Sequence, residues 1–189
     1  MRYTLEQGKQ LIDIARKSIE FWFKGKELDT NLFKEKKGVF VTLYIKGNLK
    51  GCIGLVLPYE NLGKAVIGMA REAAFNDSRF KTLNEKELKD LTIEISVLTV
   101  PELLEVKPEK YSEKIKIGRD GLIVGCRGFS GLLLPQVAKE HRWDTEEFLR
   151  ETCLKAGLLE DNWKKKGCEV YTFQAQVFKE MPDKTIVEE

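Results

Sequence analysis

Cys52 stands in the run Leu49-Lys50-Gly51-Cys52-Ile53-Gly54, flanked by two glycines and two residues from a lysine. Glycines let a ligand or a neighbouring backbone come close, and a nearby cation lowers a thiol's pKa toward the reactive thiolate. Strand alternation would put Lys50 and Cys52 on one face. The chemistry implied is a nucleophilic or redox thiol, with Lys50, Gly51 and Gly54 as ligand contacts. The competing reading is a small buried side chain, because free cysteine packs like a small hydrophobe. Asp77 and Arg79 form a second group, just after an amphipathic stretch. A guanidinium there could clamp an anionic ligand through paired N–H donors, or tie the helix end to a sheet through Glu94.

Three further features carry weaker chemistry. Gly125-Cys126-Arg127-Gly128-Phe129-Ser130-Gly131 could cradle a phosphate with successive N–H groups. It lacks the Lys-Ser/Thr ending of a P-loop, and a bulged hairpin explains the glycines as well. Gln136 and Glu140 lie one helical turn apart, beside the lone His141, and could complete a ligand site. A histidine base would need a partner within hydrogen-bond reach. The cysteines at 52, 126, 153 and 168 show no C-x-x-C pair, and His141 is not spaced to complete a zinc motif. Neither metal nor cofactor is expected. Reduced cysteine is expected, with a disulfide open for a heat-adapted source.

The elements that must position these groups read as follows. Thr4 to Phe23 is a helix opened by a Thr4/Gln7 capping box, with Leu11, Ile12, Ala15, Ile19 and Trp22 toward the core. Val39–Ile45 and Leu49–Leu57 pair about a Lys46-Gly47-Asn48 turn, the second strand ending at Pro58. Asn61 caps a helix whose stripe is Leu62, Ala65, Val66, Met69, Ala70 and Ala73. Asn84 and Glu87 box a short helix ending near Leu91, and Ile93 to Leu98 alternates as a half-buried strand. Lys107–Glu113 is loop and a helical turn. Ile115–Ile117 and Leu122–Gly125 flank a second hairpin signal at Gly118–Gly121. Pro135 opens a helix to His141, and Asp144/Glu147 open another that ends at Gly157. Cys168–Phe178 is the last strand, with Tyr171, Phe173, Ala175 and Val177 on one face, and the polar tail after Met181 is expected to fray. The hairpin-then-helix pattern occurs twice, around Gly51-Cys52 and around Gly125-Cys126; it reads either as an internal duplication or as a coincidence of the Gly and Pro that punctuate any sheet.

The chain has 189 residues, enough for one large domain or two small lobes. With 32 basic and 30 acidic residues the net charge is +2, which argues against a dedicated nucleic-acid or membrane binder. RNA binding rests only on the clusters Lys34, Lys36, Lys37 and Lys164–Lys166. No apolar stretch suits a bilayer and Met1-Arg2-Tyr3 leads straight into a charged helix pattern, so a cytoplasmic location is expected. The Lys- and Glu-rich mixture fits a heat-adapted source.

From Leu49 to Gly54 the chain resembles the AMMECR domain family, whose signature is L-R-G-C-I-G. The likeness continues through Gly38-Val39-Phe40-Val41-Thr42, Ala73-Ala74, Asp77-Ser78-Arg79-Phe80, Ile93–Leu98, Gly121-Leu122, Leu133–Ala138, Trp143, Glu147-Phe148-Leu149 and Lys155–Leu158, in family order over nearly the whole chain. It implies one α+β domain over residues 1–189, with two lobes around mixed or antiparallel sheets. It also implies an accessory in a modification pathway with Memo-like and radical-SAM proteins, binding or transforming a small ligand in a cleft between the lobes. The alternative is a non-enzymatic protein-interaction module. Lys50 departs from the family arginine: it keeps the charge but loses the planar fork needed for bidentate contacts.

Overall fold

The computed structural model describes residues 2–189. In chain order the elements are α1 (Leu5–Phe23), β1 (Gly38–Ile45), β2 (Asn48–Leu55), α2 (Leu62–Arg71), β3 (Leu91–Leu98), β4 (Glu102–Leu103), α3 (Tyr111–Lys114), β5 (Asp120–Cys126), β6 (Phe129–Leu133), α4 (Pro135–His141), α5 (Thr145–Lys155), β7 (Cys168–Glu180) and β8 (Ile186–Glu188). The fold is α+β and divides into two compact units. The first holds the residues up to Leu98 together with Gln176–Glu189, the second Thr99–Ala175. The ladders within each unit run antiparallel.

In the first unit β1 lies between β2 and β3. Lys46 and Gly47 make the hairpin turn at φ 50° and 79°, the two positive values that a tight twisted hairpin requires. One face of this sheet is apolar: Val39, Val41, Leu43, Ile93, Ile95 and Val97 pack with Leu11 and Ile19 of α1 and Leu62 and Val66 of α2. Each such buried side chain contributes about 2 kcal/mol of hydrophobic stabilisation. Thr4 and Gln7 cap α1 reciprocally, at 3.2 and 2.9 Å. Asn61 stands at the start of α2 but makes no side-chain cap. The first N–H groups of α2 are instead taken by the Glu35 and Phe33 carbonyls, at 2.9 and 3.1 Å. After Arg71 the helix widens into a π-turn, Glu72–Asn76.

Four expectations for this unit are corrected. Trp22 is half exposed rather than core; it stacks on Phe75 with Arg71 over its ring. In that last turn of α1 the neighbouring Phe23 is the side chain that packs against the core. β3 is not half-buried: with β1 beside it, Glu94, Ser96 and Leu98 are as buried as the apolar residues they alternate with. β2 ends at Leu55, short of Pro58. The tail is ordered, because Ile186, Val187 and Glu188 pair with Glu180, Lys179 and Phe178.

The second unit is a β5–β6 hairpin turning at Arg127–Gly128 (φ 51° and 87°), with β7 on the other side of β5 and β4 paired to β7. Its core is Leu122, Val124, Phe148, Leu149, Trp163 and Val170. Capping boxes open α5 and the 3-10 turn Glu85–Asp90 of the first unit, and Gly157 follows α5 at φ 72°. Ile115–Ile117 is not a strand; it leads from α3 into a turn, so no hairpin forms at Gly118–Gly121. Cys126 and Cys168 lie opposite each other in the β5–β7 ladder and form a disulfide, overturning the expectation of reduced cysteine for that pair. Cys52 and Cys153 are free.

Both units contain a hairpin followed by a helix. The cysteines of the two echoes are nevertheless not equivalent: Cys52 lies on the second strand of its hairpin, Cys126 on the first of its own.

Candidate functional site

The hexapeptide forms most of β2, the outer strand of the first unit's ladder, and Lys50, Gly51, Cys52 and Gly54 each have a defined mechanical task. Lys50 is the extra residue of a bulge, since Leu49 pairs with Tyr44 and Gly51 with Leu43. The bulge breaks the alternation that would have set Lys50 beside Cys52. Its ammonium instead meets Glu87 at 3.0 Å, so it neither faces nor activates the thiol. The Asn84 backbone N–H and then Lys50 hold the Glu87 carboxyl below its ordinary range. At Gly51 a Cβ would stand 2.0 Å from the Ala73 carbonyl oxygen, and at Gly54 2.3 Å from the Phe40 ring. Both glycines are therefore close-approach residues, and what approaches is the protein's own π-turn and side chain.

The backbone of Cys52 is held from outside the sheet. Its N–H donates to Asp77 Oδ2 at 2.9 Å, and its carbonyl accepts from Arg79 Nη2 at 2.8 Å. Arg79 also grips Asp77 in a fork, Nε to Oδ1 at 2.9 Å and Nη2 to Oδ2 at 2.8 Å. The Arg79 guanidinium and the two backbone N–H groups hold the buried Asp77 carboxyl down at about 2. The pair acts as a two-pronged substitute for the missing neighbour strand, joining the end of the π-turn to β2.

The side chain of Cys52 points to the sheet face opposite the apolar core. Register sets Cys52, Thr42 and Glu94 side by side on three strands. Thr42 donates to the sulfur at 3.2 Å. Burial pushes the Cys52 thiol up; the Thr42 hydroxyl and the Arg79 guanidinium pull it back only in part, and Glu94 and Asp77 push it further. At neutral pH it is a half-buried protonated thiol, which makes a poor nucleophile.

Glu94 is the residue that sequence reasoning treated only as a tie for Arg79. It is buried, accepts the Tyr44 hydroxyl at 3.2 Å and lies 3.7 Å from Lys179 Nζ. Burial and then the Glu94 charge push the Tyr44 hydroxyl well above its usual range. The available signal was a carboxylate inside a strand with no other charged residue, where acidic residues are depleted. Lys179 had no signal, since it comes from β7, far along the chain. Beside this row Tyr44 and Lys179 also line a cavity of about 400 Å³.

The structure thus brings Cys52, Asp77 and Arg79 together and sends Lys50 to Glu87. Gln136 and Glu140 belong to α4 of the second unit, where the His141 ring stacks on Trp143 at 4.5 Å. The Gly125–Gly131 run is the β5–β6 hairpin in unshifted register, with no bulge. Lys164 is occupied by Glu146 and Asp161, each at 3.0 Å. Among the described residues no cluster of three or more His, Cys, Asp or Glu could hold a metal, and no helix is long and apolar enough to cross a membrane.

The family model described as AMMECR1 matches residues 12–178. A protein of Methanococcus aeolicus is 45% identical over 196 residues, spanning 100% of this chain and 98% of its own. One from Methanothermobacter thermautotrophicus is 48% identical over 182 residues, spanning 93% and 95%. The crystal structure of an uncharacterized protein from Pyrococcus horikoshii is similar with a TM-score of 0.90 at 44% identity, covering 97% of each chain. With the matched region running from the first helix to the last long strand, the chain belongs to the AMMECR1 family.

Proposed function

We propose that this protein is a small-ligand-binding accessory in a modification pathway shared with Memo-like and radical-SAM proteins, and that its first unit carries the ligand site. The observation that supports this is the Tyr44–Glu94–Lys179 cluster. A buried carboxylate is held by a hydroxyl and an ammonium, and both of those partner residues also line a cavity. Buried charge is costly to retain unless it is paired and used to orient something. Cys52 serves as a neighbour of the site, its thiol protonated and its backbone clamped. The test is a reconstituted mixture of this chain with the Memo-like and radical-SAM proteins. Tyr44→Phe and Glu94→Gln should each lower the output at least tenfold, and Cys52→Ala should keep most of it. Output that is independent of Glu94, or abolished by Cys52→Ala, would overturn the assignment.

A second reading, a non-enzymatic interaction module, draws on the exposed Leu49, Leu57 and Tyr59 at and just beyond β2. It predicts co-purification with a partner that is lost in Tyr59→Ser and unaffected by Glu94→Gln.

A further inference from the structure

The cavity beside Tyr44 has a wall that the site's polar row does not explain. Four lysines line it, Lys46, Lys89, Lys179 and Lys184, against two carboxylates, Asp90 and Glu180. Both acids are already engaged. Glu180 pairs with Arg16, accepts the Ile93 N–H at 3.2 Å and lies 3.6 Å from Lys184 Nζ, which also donates to the Leu91 carbonyl at 2.7 Å; Asp90 lies 3.7 Å from Lys46 Nζ. Lys179 shares its charge with Glu94 and Glu189. When those two acids and Arg16 are counted with the cavity's own lining, the balance stays positive. Lys89 makes no ion pair among the described residues, and Lys46 and Lys184 keep much of their surface in solvent.

Backbone conformation gives an independent pointer. Lys46 and Lys184 both sit in left-handed conformation, φ 50° and 68°, at the tips of the β1–β2 and β7–β8 hairpins. Glycine and asparagine occupy that region at least cost, and Asn-Gly suits the first of these turns far better than Lys-Gly. A side chain kept where the backbone disfavours it is reason to look for a role. Here two such lysines line one cavity. Lysines from separate hairpins lining one cavity with Thr92 suit a compact anion with several oxygens.

We propose that this lysine-lined cavity binds a small polyanion bearing phosphoryl groups, with Lys46, Lys89 and Lys184 supplying the charge and Thr92 a hydroxyl contact. A volume of about 400 Å³ admits a diphosphate or a small phosphorylated metabolite and is at the small end for a bound ligand. The inference rests on the ligand-binding reading above and names its ligand class.

Pyrophosphate titrated calorimetrically into the full chain at low salt is the probe, with chloride and a single-stranded RNA as comparisons. Pyrophosphate should bind one to one, at least tenfold more weakly when salt is raised from 50 to 300 mM. Lys89→Gln should weaken it at least threefold with an unchanged melting midpoint. Lys46→Asn should weaken it as much while holding or raising the midpoint, because the turn improves as the charge is lost. No heat with pyrophosphate, undiminished affinity in both variants, or binding of RNA alone would each overturn the assignment. The two readings separate cleanly. Pathway output that needs Glu94 in a chain that ignores pyrophosphate removes the anion and leaves the accessory. Lysine-dependent pyrophosphate binding with output indifferent to Glu94 does the reverse.

Discussion

Replacing Asp77 by asparagine strikes the clamp that holds β2. The carboxylate accepts four hydrogen bonds, from the Cys52 N–H and from the Arg79 backbone N–H, Nε and Nη2, at 2.8 to 3.2 Å. Its side chain is almost wholly buried, whereas that of Arg79 is about half exposed, so the pair is partly screened by solvent. The folded-state pKa is about 2 against an ordinary 3.8. A depressed acid stabilises the fold above its unfolded pKa and loses that contribution as pH falls through the folded one. The window is therefore pH 4 to 2, and the drop corresponds to about 2 kcal/mol. The substituted amide keeps one acceptor and turns an NH2 toward the guanidinium, so Asp77→Asn should cost about 2 to 3 kcal/mol at pH 7. Urea unfolding followed by circular dichroism at pH 7 and pH 2 measures the difference between wild type and variant. Other carboxylates titrate equally in both chains and cancel. The gap should shrink below about 0.5 kcal/mol at pH 2. A gap that is the same at both pH values, or absent at pH 7, would show that the fork does not hold β2 as described.

Gly51→Ala forces a Cβ against the Ala73 carbonyl, which belongs to backbone and cannot swing aside; it should lower stability by about 3 kcal/mol in the same urea assay. Gly125→Ala meets nothing within 4 Å and should be near neutral, and equal effects at the two glycines would refute the close-approach argument. The raised Cys52 thiol should react with iodoacetamide at least tenfold more slowly at pH 7.5 than a free thiol, accelerating as pH rises; stoichiometric labelling within minutes would contradict the burial that raises it. The Cys126–Cys168 disulfide closes a loop with a sequence separation of 42, worth about 4 kcal/mol of chain entropy. The Cys126→Ser/Cys168→Ser chain should lose about that much, and an unchanged midpoint would mean the bridge constrains little.

The parts of the fold legible in sequence are those whose causes are local. Three reciprocal caps, Thr4/Gln7, Asn84/Glu87 and Asp144/Glu147, need only residues three apart, and all three form. The Lys46-Gly47 turn is likewise set by its own dihedrals. What escaped depends on distant neighbours. Trp22 continues the helical stripe in period, yet it is the neighbouring Phe23 that packs against the core. β3 shows alternation, but a second covered face is invisible until β1 and the rest of the unit surround it. Ile186-Val187-Glu188 is too short to show a period and owes its strand to β7. The bridge joins cysteines with no motif between them. The site divides in the same way. Cys52 and the Asp77–Arg79 pair stood out by composition, whereas Thr42, Tyr44 and Lys179 become relevant only through register and through a strand far along the chain.

These contacts alter what the hexapeptide means physically. A strand on the outside of a ladder has free N–H and C=O groups and tends to slip or to recruit a neighbour. Here Asp77 and Arg79 occupy both groups of Cys52, and Gly51 lets the π-turn press against the strand from the core side. The bulge at Lys50 then fixes register, because a slip would have to carry the Glu87 contact with it. Fixed register is what puts Cys52 beside Thr42 and Thr42 beside Glu94. The hexapeptide thus acts on the buried carboxylate from two strands away by immobilising the strand that flanks β1. Loosening the clamp should disturb Tyr44 and Glu94 although the first lies on β1 and the second on β3. A strand whose glycines and cysteine suggest a reactive thiol is, in three dimensions, the frame of the proposed site, whose charged groups lie elsewhere.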